Sequence, residues 1–312
     1  MTCIEGEIPT SRKCTTTDTL TNGLNFVDGQ YTYTYSISSD GWSVVLTDKE
    51  SIDPVTTELC GTINDKPIVS MEVMFQDSKA TSIDLSSFDT SNVTNMYGMF
   101  QDSKVTSLDL SSFDTSKVTT MRSMFAYSAA TEIKGLENFN TSKVTKMDEM
   151  FAGTNVATLD LSSFDTSNVT GMTDMFFGSA ATEIKGLEKF NTSNVTNMSG
   201  MFYNCKVANL ELSNFDTSKV TNMSFMFTSS QATTLDLSSF DTSNVINMKE
   251  MFYNSAVTSL DLSSFDTTNV TDMSKMFYNS KATTGYARSQ EDADRFNASS
   301  NKPSGLTFVV KS

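Results

Sequence analysis

The chain has 312 residues, with 22 Lys and Arg against 37 Asp and Glu, so its net charge is −15, and it contains no histidine. The absence of histidine excludes sites in which an imidazole acts as a base, proton shuttle or metal ligand. The negative charge argues against nucleic acid and anionic lipid as partners, because both are bound by a surplus of Lys and Arg.

Residues 1–68 are predicted to form an N-terminal β-hairpin cap or a small domain of their own. The stretches 31–37 and 42–46 are rich in aromatic and β-branched residues, and they flank a Ser-Ser-Asp-Gly sequence that is typical of a hairpin turn. No segment typical of a signal peptide is visible, and no apolar run of about 18 residues predicts a membrane span.

Three of the four cysteines, Cys3, Cys14 and Cys60, lie in this N-terminal region. A disulfide between Cys3 and Cys14 or between Cys14 and Cys60 would fit an exported chain, and free thiols are the alternative. Cys205 takes the place of a serine in the repeat described next and is interpreted as a small buried residue. The thiols are too scattered for a zinc site, and the sequence predicts neither a metal nor a cofactor.

Residues 69–280 are predicted to form a repeat solenoid. A Met-Phe pair recurs every 25 or 26 residues, and eight full copies cover residues 74–275. Such a period is typical of a solenoid, whose coils bury their apolar residues against one another. Two alternating segments in each copy, for example 105–110 and 93–96, predict two short strands on opposite sides of the coil. The fold class is therefore mainly β, with leucine-rich-repeat-like coils of about 25 residues.

The two corners of each coil have different compositions. The segment around Met-Phe is predicted to turn as a single helical or 3₁₀ turn. The segment Ser-Ser-Phe-Asp-Thr-Ser-Asn is predicted to turn through side chains that bond the nearby backbone. Leu or Ile, Phe, Val and Met recur at fixed positions and are predicted to stack into core columns, with coils about 4.8 Å apart.

The third and fifth copies each carry one extra residue. Both place a lysine, Lys134 or Lys185, where other copies have an acid, and both place an asparagine, Asn140 or Asn191, in a column of aspartates. An unbroken column of carboxylates at coil spacing would repel itself. We interpret these changes as structural adjustments, in which the lysines pair with flanking acids.

Residues 281–312 depart from the repeat and are predicted to form a C-terminal cap. A short helix is expected over 289–297, with Ser289 as N-cap and Glu291 and Asp292 in the first turn. Residues 305–310 are predicted to form a final strand. A solenoid needs such caps, because an open end would expose apolar core and unpaired strand edges.

The repeat unit, for example IDLSSFDTSNVTNMYGMF at residues 83–100, resembles the BspA-like leucine-rich-repeat surface proteins of bacteria. The resemblance covers about residues 71–312. It implies an extracellular or cell-surface solenoid that serves in adhesion or surface display, and it supplies no catalytic residues. It implies this location although neither a signal peptide nor an anchor is visible in the chain.

The positions that flank each Met-Phe pair vary between copies, whereas the core positions hardly change. Such variation indicates a solvated edge, which is either free to drift or in contact with a ligand. Aromatic side chains on a rigid scaffold suit contacts with sugars or proteins. The candidate ligand-contacting residues are Tyr97, Arg122, Phe177, Tyr203, Phe225, Tyr253 and Tyr278. A second candidate surface is the acidic strand face, with residues such as Asp109 and Asp160, which would attract basic proteins or weakly hold Ca²⁺.

These observations predict a non-enzymatic bacterial surface module for binding or adhesion. Its partner is expected to be a host or bacterial surface protein or a glycan, and the chain is expected to be a monomer that does not insert into membranes. The alternative is a structural spacer or stalk that displays another domain. Columns of threonine suggest an ice-binding face more weakly, and the regular repetition of the aspartates argues against a unique catalytic site.

Overall fold

A computed structural model of the chain describes residues 11–311. It shows a mainly β solenoid of about 11 turns at a spacing of about 25 residues, which confirms the predicted fold class. The flanking segments supply turns beyond the eight sequence copies: Val55 bridges to Ile83 ahead of the first complete copy. Cys3 lies outside the described residues.

The N-terminal end of the solenoid is covered by one six-stranded sheet in the order β1-β5-β6-β4-β3-β2. Its strands are β1 (Arg12–Cys14), β2 (Asn25–Asp28), β3 (Tyr31–Ser36), β4 (Gly41–Leu46), β5 (Cys60–Ile63) and β6 (Lys66–Ser70). Strands β3 and β4 pair antiparallel and form the predicted hairpin. The ring of Tyr31 packs edge-on against Phe75 and Phe88, so the sheet shares one core with the first coil.

One side of the solenoid carries short parallel strands that pair between neighbouring coils. They are β7 (Ser107–Asp109), β8 (Glu132–Lys134), β9 (Thr158–Asp160), β10 (Glu183–Lys185), β11 (Asn209–Leu210), β12 (Thr234–Leu235) and β13 (Ser259–Leu262). On the opposite side, each coil contributes a single bridge residue, in a series that runs from Asn95 to Asp272. This element is shorter than the predicted strand, because the chain enters the Met-Phe turn directly after the bridge.

Two columns of phenylalanine run through the interior. The rings that follow each Met are fully buried and stack from Phe75 to Phe277, with successive centroids 5.5–6.0 Å apart and interplanar angles of at most 15°. In the second column, the rings of Phe215 and Phe240, for example, lie 6.5 Å apart. Each coil therefore buries its apolar residues against the next one, as the repeat predicts.

The extra residue of the third and fifth copies is accommodated by a 3₁₀ helix, Leu136–Asn138 or Leu187–Lys189. Gly135 precedes the first with φ 89°, and a Cβ there would lie 2.5 Å from the backbone nitrogen of Ser111. Glycine is therefore required by both the backbone angle and the close approach. Lys134 forms its ion pair with Glu132 of its own strand, at 3.6 Å.

The C-terminal cap consists of β14 (Thr284–Ala287), α1 (Gln290–Asn297) and β15 (Thr307–Val310), and β14 and β15 extend the parallel sheet from β13. The hydroxyl of Ser289 accepts the N–H of Asp292, as expected for the N-cap. The rings of Phe296 and Phe308 lie 5.8 and 4.9 Å from Phe277 and cover the last buried ring of the column. The predicted cap of helix and strand is thus confirmed.

Candidate functional site: the Met-Phe edge

We call the corner that contains each Met-Phe pair, with two residues before it and three after it, the Met-Phe edge. Its backbone forms overlapping turns in place of the predicted helical or 3₁₀ turn. In the coil of Phe100, the N–H of Gly98 donates to Arg122 of the next coil at 2.9 Å, and the N–H of Met99 donates to Met96 at 3.3 Å. This alternation repeats along the edge. Backbone N–H groups therefore donate either to carbonyls of the next coil or to carbonyls of the same turn.

Two positions of each turn segment have left-handed backbone angles, which the third residue of a type II turn requires. In one coil these residues are Gly98 (φ 58°) and Asp102 (φ 56°). Glycine, asparagine and aspartate favour this conformation, yet Phe225 (φ 61°) and Glu250 (φ 55°) adopt it as well. The stacked hydrogen bonds therefore hold the turn even where the side chain does not favour it, and the side chains are left free to vary.

The C-terminal half of the edge carries two groups of aromatic side chains. Phe177 and Tyr203 lie 4.8 Å apart between ring centroids, and Phe225 lies 6.5 Å from Tyr203. Tyr253 and Tyr278 stack at 4.9 Å with an interplanar angle of 13°. Five of the seven predicted contact residues are therefore brought together, and the buried Thr228 lies between the two groups in the sequence of coils.

The other two predicted residues, Tyr97 and Arg122, lie together at the N-terminal half of the edge. The guanidinium of Arg122 is 5.9 Å from the centre of the Tyr97 ring and forms an ion pair with Glu149 at 3.5 Å. The sequence analysis missed Tyr127, which is 46% exposed and has a left-handed backbone angle. A comparison of copies could have found it, because the equivalent position of the next copy is a glycine, Gly153, so this position also varies. The ring of Tyr127 lies against Gly153.

Acidic residues separate these two halves of the edge. A shallow cavity of about 270 Å³ is lined by Arg122, Lys146, Asp148, Glu149 and Thr173. The N–H of Thr173 donates to Asp148 at 3.1 Å. Partial burial, and then the charges of Glu149 and Asp148, raise the pKa of Asp174 to about 6. This edge therefore combines aromatic rings with a carboxyl group whose pKa is raised to about 6.

On the acidic strand face and at the corner beside it, the carboxylates accept hydrogen bonds from backbone N–H groups of their own coil. Asp109 accepts the N–H of Ser111 at 3.1 Å, and Asp114 accepts the N–H of Ser116 at 2.9 Å. Hydrogen bonds from these serines lower the pKa of both carboxyl groups. Asn140 takes the place of the corner aspartate and accepts the N–H of Ser142 in the same way, at 3.1 Å. These carboxylates are therefore explained by turn formation.

Within residues 11–311, the only group of three side chains close enough to share a metal ion is Cys14, Asp28 and Cys60. The two cysteines are joined in a disulfide, which is one of the two pairings that the sequence allowed, and their Cα atoms are 5.8 Å apart. Disulfide sulfurs do not ligate metals as thiolates do. Cys205 is buried, as predicted, and burial raises the pKa of its thiol to about 11, which disfavours the nucleophilic thiolate form.

Three overlapping segments, residues 52–134, 126–183 and 177–289, match the family described as "Mycoplasma protein of unknown function, DUF285". Among solved structures, the chain is similar to the crystal structure of the pneumococcal vaccine antigen PcpA, with 12% identity and a TM-score of 0.35, over 94% of this chain and 100% of that chain. No curated protein matches the chain.

Among the helices of residues 11–311, none has the length and apolar character needed to cross a lipid bilayer.

Proposed function

The chain belongs to the family described as Mycoplasma proteins of unknown function, DUF285, and from this premise we propose that it is an exported, non-enzymatic binding module of the bacterial cell surface. We place it with the BspA-like surface proteins on the basis of the repeat unit. Its ligand, a surface protein or glycan, contacts the Met-Phe edge. The chain acts as a monomer and needs no cofactor.

One observation carries this proposal: aromatic side chains, half-buried except for the exposed Tyr278, collect at one edge of a scaffold whose other positions are constrained by structure. Rings of consecutive coils touch from Phe177 to Phe225 and again from Tyr253 to Tyr278. The polar groups at the opposite corner are engaged in turn hydrogen bonds, for example Asp114 with Ser116. Aromatic residues presented by a rigid scaffold are common in binding surfaces.

Export is supported by the disulfide between Cys14 and Cys60, which closes a sequence separation of 46 residues. Disulfides of this kind persist in oxidising compartments and are rare in the cytosol. The proposal that the chain is not an enzyme is supported by the acids of the strand face, because one hydrogen-bonding pattern recurs from Asp109 to Asp160 and Asp236.

A structural spacer is the second candidate. The continuous stack of phenylalanine rings from Phe75 to Phe277 favours it, because such a stack makes a rigid rod out of successive coils. A spacer would make no use of the aromatic edge, and replacing the edge residues would leave its role unchanged.

The test is the binding of the labelled full chain to a glycan array and to host matrix proteins, beside a Tyr203→Ala, Tyr253→Ala, Tyr278→Ala triple variant. Tyr286→Ala is the matched control, since Tyr286 is 39% exposed but lies on the strand face of the C-terminal cap. Saturable binding that is lost only in the triple variant supports the proposal. Binding retained by the triple variant, or no binding at all, contradicts it and favours another surface or a spacer.

A further inference from the structure

We propose that the Met-Phe edge between Asp174 and Tyr278 binds an extended, proline-containing peptide segment that places a lysine or arginine side chain against Asp174. This inference rests on the proposed function and names the chemistry of its partner. It is argued from the orientation of the rings, from their spacing and from the charge at one end of the row.

The first argument concerns the faces of the aromatic rings. Tyr253 and Tyr278 stack at 4.9 Å with an angle of 13°, and Phe177 and Tyr203 lie 4.8 Å apart at 30°. Neighbouring rings therefore cover much of each other's faces and present mainly their edges and hydroxyl groups to a ligand. Sugars stack on open ring faces. Ring edges carry partial positive charge and favour electron-rich groups such as peptide carbonyls.

The second argument concerns spacing along the solenoid. Tyr203 and Tyr253 occupy equivalent positions two coils apart, and coils that pair as parallel strands repeat at about 4.8 Å, which separates these positions by about 9.6 Å. A polyproline II helix advances about 3.1 Å per residue, and so about 9.3 Å per turn of three residues. Two prolines three residues apart would therefore fall on Tyr203 and Tyr253. Thr228 does not obstruct this path, because it is 1% exposed.

The third argument concerns charge at the Phe177 end of the row. Asp174 and Phe177 belong to one turn, since the N–H of Phe177 donates to the carbonyl of Asp174 at 3.0 Å. Within residues 11–311 no donor is hydrogen-bonded to the Asp174 carboxylate, whereas the neighbouring Glu149 has its ion pair with Arg122. A cation from a partner would therefore meet a carboxylate that has no competing hydrogen-bond donor. The net charge of −15 further favours a basic partner.

The same geometry makes binding dependent on pH. Asp148 and Glu149 face Asp174 from the preceding coil. Burial, and then the charges of Glu149 and Asp174, raise the pKa of the nearby Tyr127. Because the pKa of Asp174 is about 6, this group is mostly protonated at pH 5 and mostly charged at pH 7. A bound cation interacts better with the charged form, so affinity should increase over this range.

The experiment measures binding of the full chain to the peptide acetyl-PPRPPPPPP-amide by isothermal titration calorimetry, beside the same peptide with glutamine in place of arginine. We expect saturable binding of the arginine peptide that weakens at least about tenfold for the glutamine peptide and for Asp174→Asn. Tyr203→Phe should also weaken binding, because it removes one hydroxyl from the row. Lowering the pH from 7 to 5 should weaken binding to the wild type and leave Asp174→Asn unaffected.

Asp241→Asn is the matched control, because it removes one charge at the opposite corner, where Asn140 and Asn191 already occur. It should bind as the wild type does. Equal affinity for the two peptides, or an equal loss in Asp174→Asn and Asp241→Asn, would overturn the inference. Far-UV circular dichroism checks the fold of each variant, and the near-isosteric Asp174→Asn and Tyr203→Phe keep the test independent of gross unfolding.

The inference and the proposed function can fail separately. If no peptide binds while a glycan or matrix protein does, and that binding is lost in the Tyr203, Tyr253 and Tyr278 triple variant, the peptide inference is wrong and the binding edge stands. If no ligand depends on these tyrosines, both are wrong.

Discussion

The two corners of each coil reverse the chain by opposite means. At the Asp-Thr corner, typified by residues 111–116, side chains satisfy the backbone. Thr115 donates to the carbonyl of Asn140 at 3.0 Å and accepts the N–H of the same residue at 2.8 Å. At the Met-Phe edge, backbone groups bond one another between coils, as the N–H of Phe100 does with Met124 at 2.9 Å.

This difference explains which positions vary. A side chain that supplies a turn with its hydrogen bonds can be replaced only by one of the same chemistry, as Asn140 replaces aspartate at the Asp-Thr corner. A side chain that supplies none can change, and one position of the Met-Phe edge accepts tyrosine, arginine, threonine and lysine in different copies. Substitutions are therefore tolerated mainly along the Met-Phe edge, which is also where we propose that the ligand binds.

The largest expected effect separates two adjacent phenylalanines. Phe176 is fully buried in the central stack, 6.0 Å from Phe151, whereas Phe177 is only half-buried at the edge. Phe176→Ala should lower the free energy of unfolding by about 3–5 kcal/mol through lost burial and a residual cavity. Phe177→Ala should cost about 1 kcal/mol, the scale of a partly buried contact. Urea unfolding measures both, and similar costs would contradict the distinction between stack and edge.

A smaller effect separates two threonines. The buried Thr242 donates to the carbonyl of Asp266 at 2.9 Å and accepts its N–H at 2.8 Å. Thr242→Val should lower the free energy of unfolding by about 2 kcal/mol, because it leaves buried backbone groups without partners. Thr271→Val is the control at an exposed position, whose column already holds Ile246, and should cost less than about 0.5 kcal/mol. Thermal or urea unfolding that ranks them equally would show that the Asp-Thr corner does not depend on its hydroxyls.

Glycine substitutions test the two kinds of turn directly. Glu250 has a left-handed φ of 55°, and Glu250→Gly should be neutral or stabilising by up to about 1 kcal/mol, because glycine adopts this angle without strain. Asp241→Gly removes the carboxylate that accepts the N–H of Ser243 at 2.9 Å and should destabilise by about 1 kcal/mol. Calorimetric unfolding that shows unchanged or raised stability for Glu250→Gly and lowered stability for Asp241→Gly supports the comparison. Destabilisation by Glu250→Gly as large as that by Asp241→Gly would break it.

The smallest effect concerns the charge of Asp174. Its pKa is about 6 in the folded chain, above the value of about 3.9 for an unfolded aspartate. The folded state therefore binds this proton more tightly, and its contribution to stability falls as pH rises from 4 to 6. Asp174→Asn should gain nothing below pH 4 and about 1 kcal/mol at pH 7, since partial exposure reduces the full linkage value. Melting curves of both proteins between pH 4 and 7 measure this difference, and a difference independent of pH would contradict it.

Much of the fold follows from the sequence, because the period of 25 residues fixes which side chains stack. It predicted the phenylalanine column that ends at Phe265, the N-cap Ser289 and the hairpin of β3 and β4. The turns of the Met-Phe edge were not predicted correctly, because their hydrogen bonds join residues of different coils and their left-handed positions accept residues such as Phe225. Local composition gives no sign of such a turn.

The candidate site was predicted less completely. Comparing copies placed Tyr203, Tyr253 and Tyr278 on one exposed edge, but it could not show that the rings cover one another's faces. The pKa of Asp174 was equally out of reach, since it depends on burial and on Asp148 and Glu149 of the preceding coil. Spacing along the chain gives the coil of each residue, whereas ring orientation and electrostatic environment arise from packing.

The most direct test compares the urea midpoints of two triple variants of the full chain, followed by far-UV circular dichroism. One carries Phe177→Ser, Tyr203→Ser and Tyr253→Ser at the Met-Phe edge. The other carries Thr192→Val, Thr217→Val and Thr242→Val, which remove three buried hydroxyls of the Asp-Thr corner. The account predicts a much lower midpoint for the threonine variant than for the aromatic variant. A midpoint lowered as far or further in the aromatic variant would show that the edge holds the coil together, and would contradict its assignment to binding.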